Sequence, residues 1–126
     1  MELSTGYLNL PDSIQKILKQ NNYDVNMVTS SPKANSFYKG GLVKKYIPWI
    51  YRYYEYLLLK LFKKGSSKNF DLYEYEKKGW TYHAKGIWLY EKNKILPNTT
   101  VIGSSNYSKF VLFIAIFIKY LRFKII

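Results

Sequence analysis

The sequence predicts an α/β fold in which a mixed sheet is flanked by helices. Three observations predict it. Residues 23–28 and 70–76 alternate polar with apolar side chains as half-buried strands do; segments beginning at Pro11 and Leu42 repeat apolar residues at helical spacing; and residues 80–103 read as two further strands joined by a turn. A chain of 126 residues holds one compact core and not two.

Taken in order, residues 5–10 form a short extended run closed by Pro11 and Asp12, with Gly6 read as a strand-to-helix turn that also permits close backbone approach to a ligand. Ile14, Ile17 and Leu18 then fall at i, i+3 and i+4, and the Asn21-Asn22 pair stops that helix. After the strand at 23–28, residues 30–37 and the Gly40-Gly41 pair make a polar, turn-rich loop of the kind that carries binding residues in α/β proteins. Residues 42–64 are the longest periodic segment, with Val43, Tyr46, Ile47, Ile50, Tyr54, Leu57, Leu58 and Leu61 on helical spacing and Pro48 starting or kinking the helix. Arg52, Lys60, Lys63 and Lys64 interrupt it, whereas a spanning helix needs about 20 apolar residues, so a core helix is expected. Gly65-Ser66-Ser67-Lys68 ends it as a polar loop. The strand at 70–76 leads through Lys77-Lys78-Gly79 into a strand over 80–90, and Lys92-Asn93-Lys94 with Pro97-Asn98 turns into residues 99–103. No internal repeat is present.

Lysine and arginine number 20 against 8 acidic residues, a net charge of +12. That surplus favours anionic partners: nucleic acid, acidic lipid head groups or phosphorylated small molecules. Part of it is background, because 14 tyrosines with abundant Lys, Asn and Ile indicate a compositional bias. The absence of cysteine excludes disulfides and thiolate metal sites, and a single histidine excludes a histidine cluster for zinc. Chemistry here is expected to need no metal and no cofactor. Residues 1–5 show neither a basic nor an apolar targeting pattern and read as a chain starting mid-domain.

The chemistry-bearing residues lie in two patches. His83, the only histidine, sits two positions before Lys85, and a strand would place both on one face, an imidazole and an ammonium suited to a phosphate. Gly103-Ser104-Ser105-Asn106 follows an apolar strand end, where backbone donors, hydroxyls and a carboxamide can converge on anionic oxygen. Alone, the first pattern is more simply a strand histidine and the second a tight turn.

Together the two patches resemble one half of the active site of the phospholipase D superfamily, whose signature is His-x-Lys, an acid some positions on, then Gly-Ser-x-Asn. The acid would fall near Tyr90, with Glu91 adjacent. Residues 79–90 are similar to the second such motif of eukaryotic phosphatidylglycerophosphate synthase, a branch in which that acid is replaced. Ser4-Thr5-Gly6-Tyr7-Leu8-Asn9-Leu10, then Ser31-Pro32 with Asn35 and Phe37, the glycine pair and Ile47-Pro48 follow the order seen in that family. The resemblance implies a partial phospholipase D-like domain over residues 1–107. It implies phosphatidyl transfer from CDP-diacylglycerol to sn-glycerol 3-phosphate at a mitochondrial membrane. His83 would be the nucleophile or the acid/base, with Lys85, Ser104 and Asn106 holding phosphoryl oxygens.

The family carries two such motifs and this sequence carries one, so the isolated chain is expected to be an inactive fragment unless a missing N-terminal half or a second copy completes the site. The family's arginine-serine pair and glutamate do not follow Tyr107. In their place residues 108–126 form an apolar, basic tail whose nine apolar residues, Phe110 to Ile118, are short for a bilayer span. That tail reads as the mark of a truncated product, ahead of a cationic interfacial anchor. Two other functions fit the sequence: a single-motif phosphodiesterase or nuclease acting as a homodimer, with nucleic acid the less favoured partner, and a non-catalytic basic module that binds anionic membranes through the long helix or the tail.

Overall fold

The computed structural model describes residues 1–21, 23–64 and 69–107. Asn22, the loop expected at residues 65–68 and the tail at residues 108–126 lie outside the described residues. Five strands form one sheet: β1 (Glu2–Thr5), β2 (Val25–Ser30), β3 (Phe70–Tyr75), β4 (Lys85–Leu89) and β5 (Thr99–Ile102), in the spatial order β3-β2-β1-β4-β5. β1, β2 and β3 run parallel, connected by α1 (Asp12–Gln20) and α2 (Ile47–Lys63), while β4 and β5 pair antiparallel on the other side of β1. The sheet is therefore mixed, as expected.

Register shows which face is buried. Leu3 pairs with Met27 and with Ile87, and Met27 with Leu72, so these four side chains share one face. Leu18 of α1 and Leu58 and Phe62 of α2 pack into the same cluster. Both helices thus cover a single face, a narrower arrangement than a sheet flanked on both sides. Met27 lies at the centre, wholly buried. Met27→Ala is expected to cost roughly 2–5 kcal/mol, read as a lower urea midpoint at unchanged slope.

Local differences from the sequence reading have physical causes. The extended run at 5–10 is not a strand: the first strand ends at Thr5, and Leu8 and Leu10 are buried in an irregular segment that reaches α1. The strand expected over 80–90 pairs only from Lys85, because its neighbour β1 ends opposite that residue. Residues before Lys85 leave the sheet, and the Tyr82 N–H bonds instead to the Ala34 carbonyl at 2.9 Å. α2 starts with Pro48 in its first turn but buries Pro48, Glu55, Leu58 and Phe62. Of the apolar residues on the expected stripe, Val43, Tyr46, Ile50, Tyr54 and Leu57 are exposed. A helix apolar nearly all round gives periodicity no face to choose.

Candidate functional site

The chain moves outward from β1 to β2 to β3 and then returns to the opposite side of β1 with β4. Open α/β sheets bind ligands outside the carboxyl ends of parallel strands where the order reverses in this way. Here that place is the C-terminal end of β1, where Thr5 pairs with Thr29 on one side and Lys85 on the other. β5 runs antiparallel to β4 with Gly86 opposite Ile102, so the next residues, Gly103 to Asn106, continue past Lys85 toward His83. The two sequence patches therefore meet through strand register.

His83 lies just outside β4, so the shared strand face expected for it and Lys85 does not exist. The two side chains still touch. Lys85 is 8% exposed, and its Nζ lies 3.0 Å from His83 Nδ1 while donating to the His83 carbonyl at 2.8 Å. Burial pushes the Lys85 ammonium below the usual lysine range. Among the described residues it pairs with no carboxylate. The contact engages Nδ1 and leaves Nε2 as the ring nitrogen open to a ligand.

Gly6 forms the floor. A Cβ at this position would stand 3.0 Å from the Tyr82 carbonyl oxygen, 3.4 Å from His83 Cα and 3.7 Å from Asn106 Oδ1, so a larger residue would have to push the Tyr82 carbonyl outward by a few tenths of an ångström. Asn106 is thereby placed beside His83, and its Oδ1 is buried without a hydrogen-bond partner. Ser104 is exposed beyond β5, with no hydrogen bond to His83 or Lys85 among the described residues. Glu91, neighbour of the acidic position of the motif, lies at the far end of β4, roughly 15–20 Å from Lys85 at about 3.3 Å per residue, and accepts from Asn98. Tyr90 there donates to Glu2 at 2.7 Å.

The polar loop after β2 forms one wall. Ser30 donates to the Gly6 carbonyl at 2.7 Å, Ser31 caps the short 3-10 turn Pro32–Ala34, and the buried Asn35 accepts from the Phe37 N–H at 3.0 Å. Tyr7 hydrogen-bonds Ser36, meets the His83 ring edge-on at 5.8 Å, and stacks on Tyr51 of α2 at 5.3 Å. Tyr82 hydrogen-bonds Ser4 at 2.5 Å. Tyr51 and Tyr82 were not legible as site residues in a chain with 14 tyrosines. Tyr51 does fall at helical spacing with Ile47, Tyr54 and Leu58, but that spacing marks packing and not a site. Among the described residues no group of three or more His, Cys, Asp or Glu side chains is placed to hold a metal.

No known protein-family profile matches the chain. Curated proteins do. Over 106 residues, 84% of the chain, it is 37% identical to the CDP-diacylglycerol–glycerol-3-phosphate 3-phosphatidyltransferase of Schizosaccharomyces pombe. This chain is similar to one segment of those phosphatidyltransferases. The mitochondrial phosphatidyltransferase of Homo sapiens is 34% identical over 83% of the chain, and that of Saccharomyces cerevisiae 36% identical over 84%. The chain spans about a fifth of the length of these relatives, 21%, 19% and 23% respectively. A matched stretch of 106 residues in a chain of 126 necessarily takes in both patches, which lie within residues 83–106.

Proposed function

We propose that this chain carries one half of a phosphatidyl-transfer site that moves the phosphatidyl group of CDP-diacylglycerol to sn-glycerol 3-phosphate, giving phosphatidylglycerophosphate. The observation that carries the reading is the Lys85 ammonium on His83 Nδ1, beside Asn106 and over the Gly6 floor, in a segment similar to named phosphatidyltransferases. The other half of the site, with a second histidine, comes from the missing part of the protein or from a second copy. The work is done at an anionic membrane surface in the mitochondrion, a reading supported by the mitochondrial phosphatidyltransferase among the relatives.

The transfer takes two displacements, and His83 is one of the two histidines they use. In the first, an imidazole nitrogen attacks the phosphorus esterified to diacylglycerol, the P–O bond to CMP breaks, and a proton from the other histidine goes to the departing CMP oxygen. In the second, the 1-hydroxyl of glycerol 3-phosphate gives its proton back to that histidine and attacks the phosphohistidine, whose P–N bond breaks. Lys85 orients the ring through Nδ1 and puts a cation beside the phosphoryl oxygens; Asn106 and Ser104 supply neutral donors to them.

Turnover of labelled CDP-diacylglycerol by a full-length protein containing this segment tests the reading, and no phosphatidylglycerophosphate from such a protein would sink it. Within it, Asn106→Ala is expected to lower kcat by about 10²–10³-fold, as losing one donor to a developing charge does. Stability should hold or rise slightly, because the substitution also removes a buried oxygen without a partner. A proportionate loss of folded protein would assign Asn106 to structure alone.

A further inference from the structure

We propose that the outward stripe of α2 is a docking surface for an anionic lipid bilayer. The side of α2 opposite its buried residues presents Trp49, Ile50, Tyr53 and Tyr56, each 52–58% exposed, and Tyr46 at 58% extends the stripe upstream. An aromatic and aliphatic strip of this extent is unusual on a surface meant for water alone.

Charge identifies the occupant. Residues 38–64 contain seven lysines and arginines and one acid, Glu55, which is buried. Lys44 and Lys45 lie at one end of the stripe and Lys60, Lys63 and Lys64 at the other. Lys45 Nζ sits 5.2 Å from the Tyr46 ring centroid and the Arg52 guanidinium 6.0 Å from that of Trp49, so cations ride against the aromatic surface. Trp and Tyr settle at head-group level in a bilayer, and each lysine near an anionic surface adds attraction. No helix among the described residues is long and apolar enough to cross a membrane. α2 accordingly lies along the interface.

The inner side of the same helix contributes Tyr51, which stacks on Tyr7 beside His83. The docking surface rests on exposure and charge and does not depend on phosphatidyl transfer.

The test is flotation of the full chain with phosphatidylcholine vesicles, with and without phosphatidylglycerol. The parent chain is expected to float with the anionic vesicles and to lose binding as salt rises. Trp49→Ser with Tyr53→Ser, and separately Lys44→Glu with Lys45→Glu, should each weaken binding by about tenfold or more with the circular dichroism spectrum unchanged, since all four side chains are exposed. Absence of binding overturns the proposal. So does binding that survives both double substitutions, which places attachment elsewhere, or a self-associated chain that buries Trp49 and ignores vesicles.

Discussion

His83→Ala, placed in a full-length phosphatidyltransferase, is expected to reduce phosphatidyl transfer by about 10³-fold or more, since a positioned acid/base alone contributes about 10²–10⁴ and a lost nucleophile costs at least as much. The ring is exposed, meets Tyr7 edge-on, and leaves Lys85 its bond to the His83 carbonyl when removed, so the melting temperature should change little. Acid-quenched protein after labelling with CDP-diacylglycerol radioactive in the phosphatidyl phosphate separates the two roles. A phosphohistidine still trapped in the His83→Ala variant makes His83 the acid/base; loss of the trapped species, with label mapped to His83 in the parent, makes it the nucleophile. Normal turnover by the variant would remove His83 from the chemistry altogether. Lys85→Ala should lose activity as well, but through a different path: it frees the Nδ1 side of the ring and opens a hole next to Thr5. Its signature is a shifted pH profile of the residual activity.

Much of this candidate site was legible in its residue types and in their resemblance to a known two-patch motif. One histidine, one lysine two positions on and a Gly-Ser-Ser-Asn turn were enough to point at phosphate, and the strand register brings those patches together at the end of β1. The geometry was not legible to the same degree. His83 and Lys85 meet because the chain turns out of β4 and the long lysine side chain folds back on the histidine, a tertiary outcome that alternation cannot encode. β1 was placed too late because Leu8 and Leu10 look like strand residues, although they are buried from an irregular segment. The burial of α2 was misassigned because almost every position on it is apolar or aromatic. Its one internal acid, Glu55, points inward, against the usual preference of a carboxylate for water.

Glu55 makes the second large prediction, and it concerns stability against pH. The side chain is 4% exposed, on the face of α2 that packs on the sheet, and Glu74 of β3 lies beside it. Burial first, and the Glu74 charge second, push the Glu55 carboxyl up to about 8, against the opposing pull of the Arg52 guanidinium and the Thr29 hydroxyl. Arg52 is itself paired with Glu74 at 3.2 Å. The folded state thus holds the proton more tightly than the unfolded chain, which releases it near 4.5. The stability this lends is fully present below about 4.5, is lost as pH rises toward about 8, and changes no further above that. Glu55→Gln keeps the shape and the capacity to donate while removing the titration. It is expected to match the parent near pH 4.5 and to exceed it by roughly 2–4 kcal/mol at pH 8 in urea denaturation. Parallel stability profiles for the two proteins would show that the carboxyl reaches water when it ionises. The consequence reaches the candidate site through register: Glu74 pairs with Thr29, Thr29 with Thr5, and Thr5 with Lys85, so one row across the sheet joins Glu74, the neighbour of Glu55, to the lysine in contact with His83. Ionising Glu55 loosens α2 against β3, and α2 is also what holds Tyr51 against Tyr7. Alkaline pH should therefore disturb the His83 patch through both the sheet row and the aromatic wall.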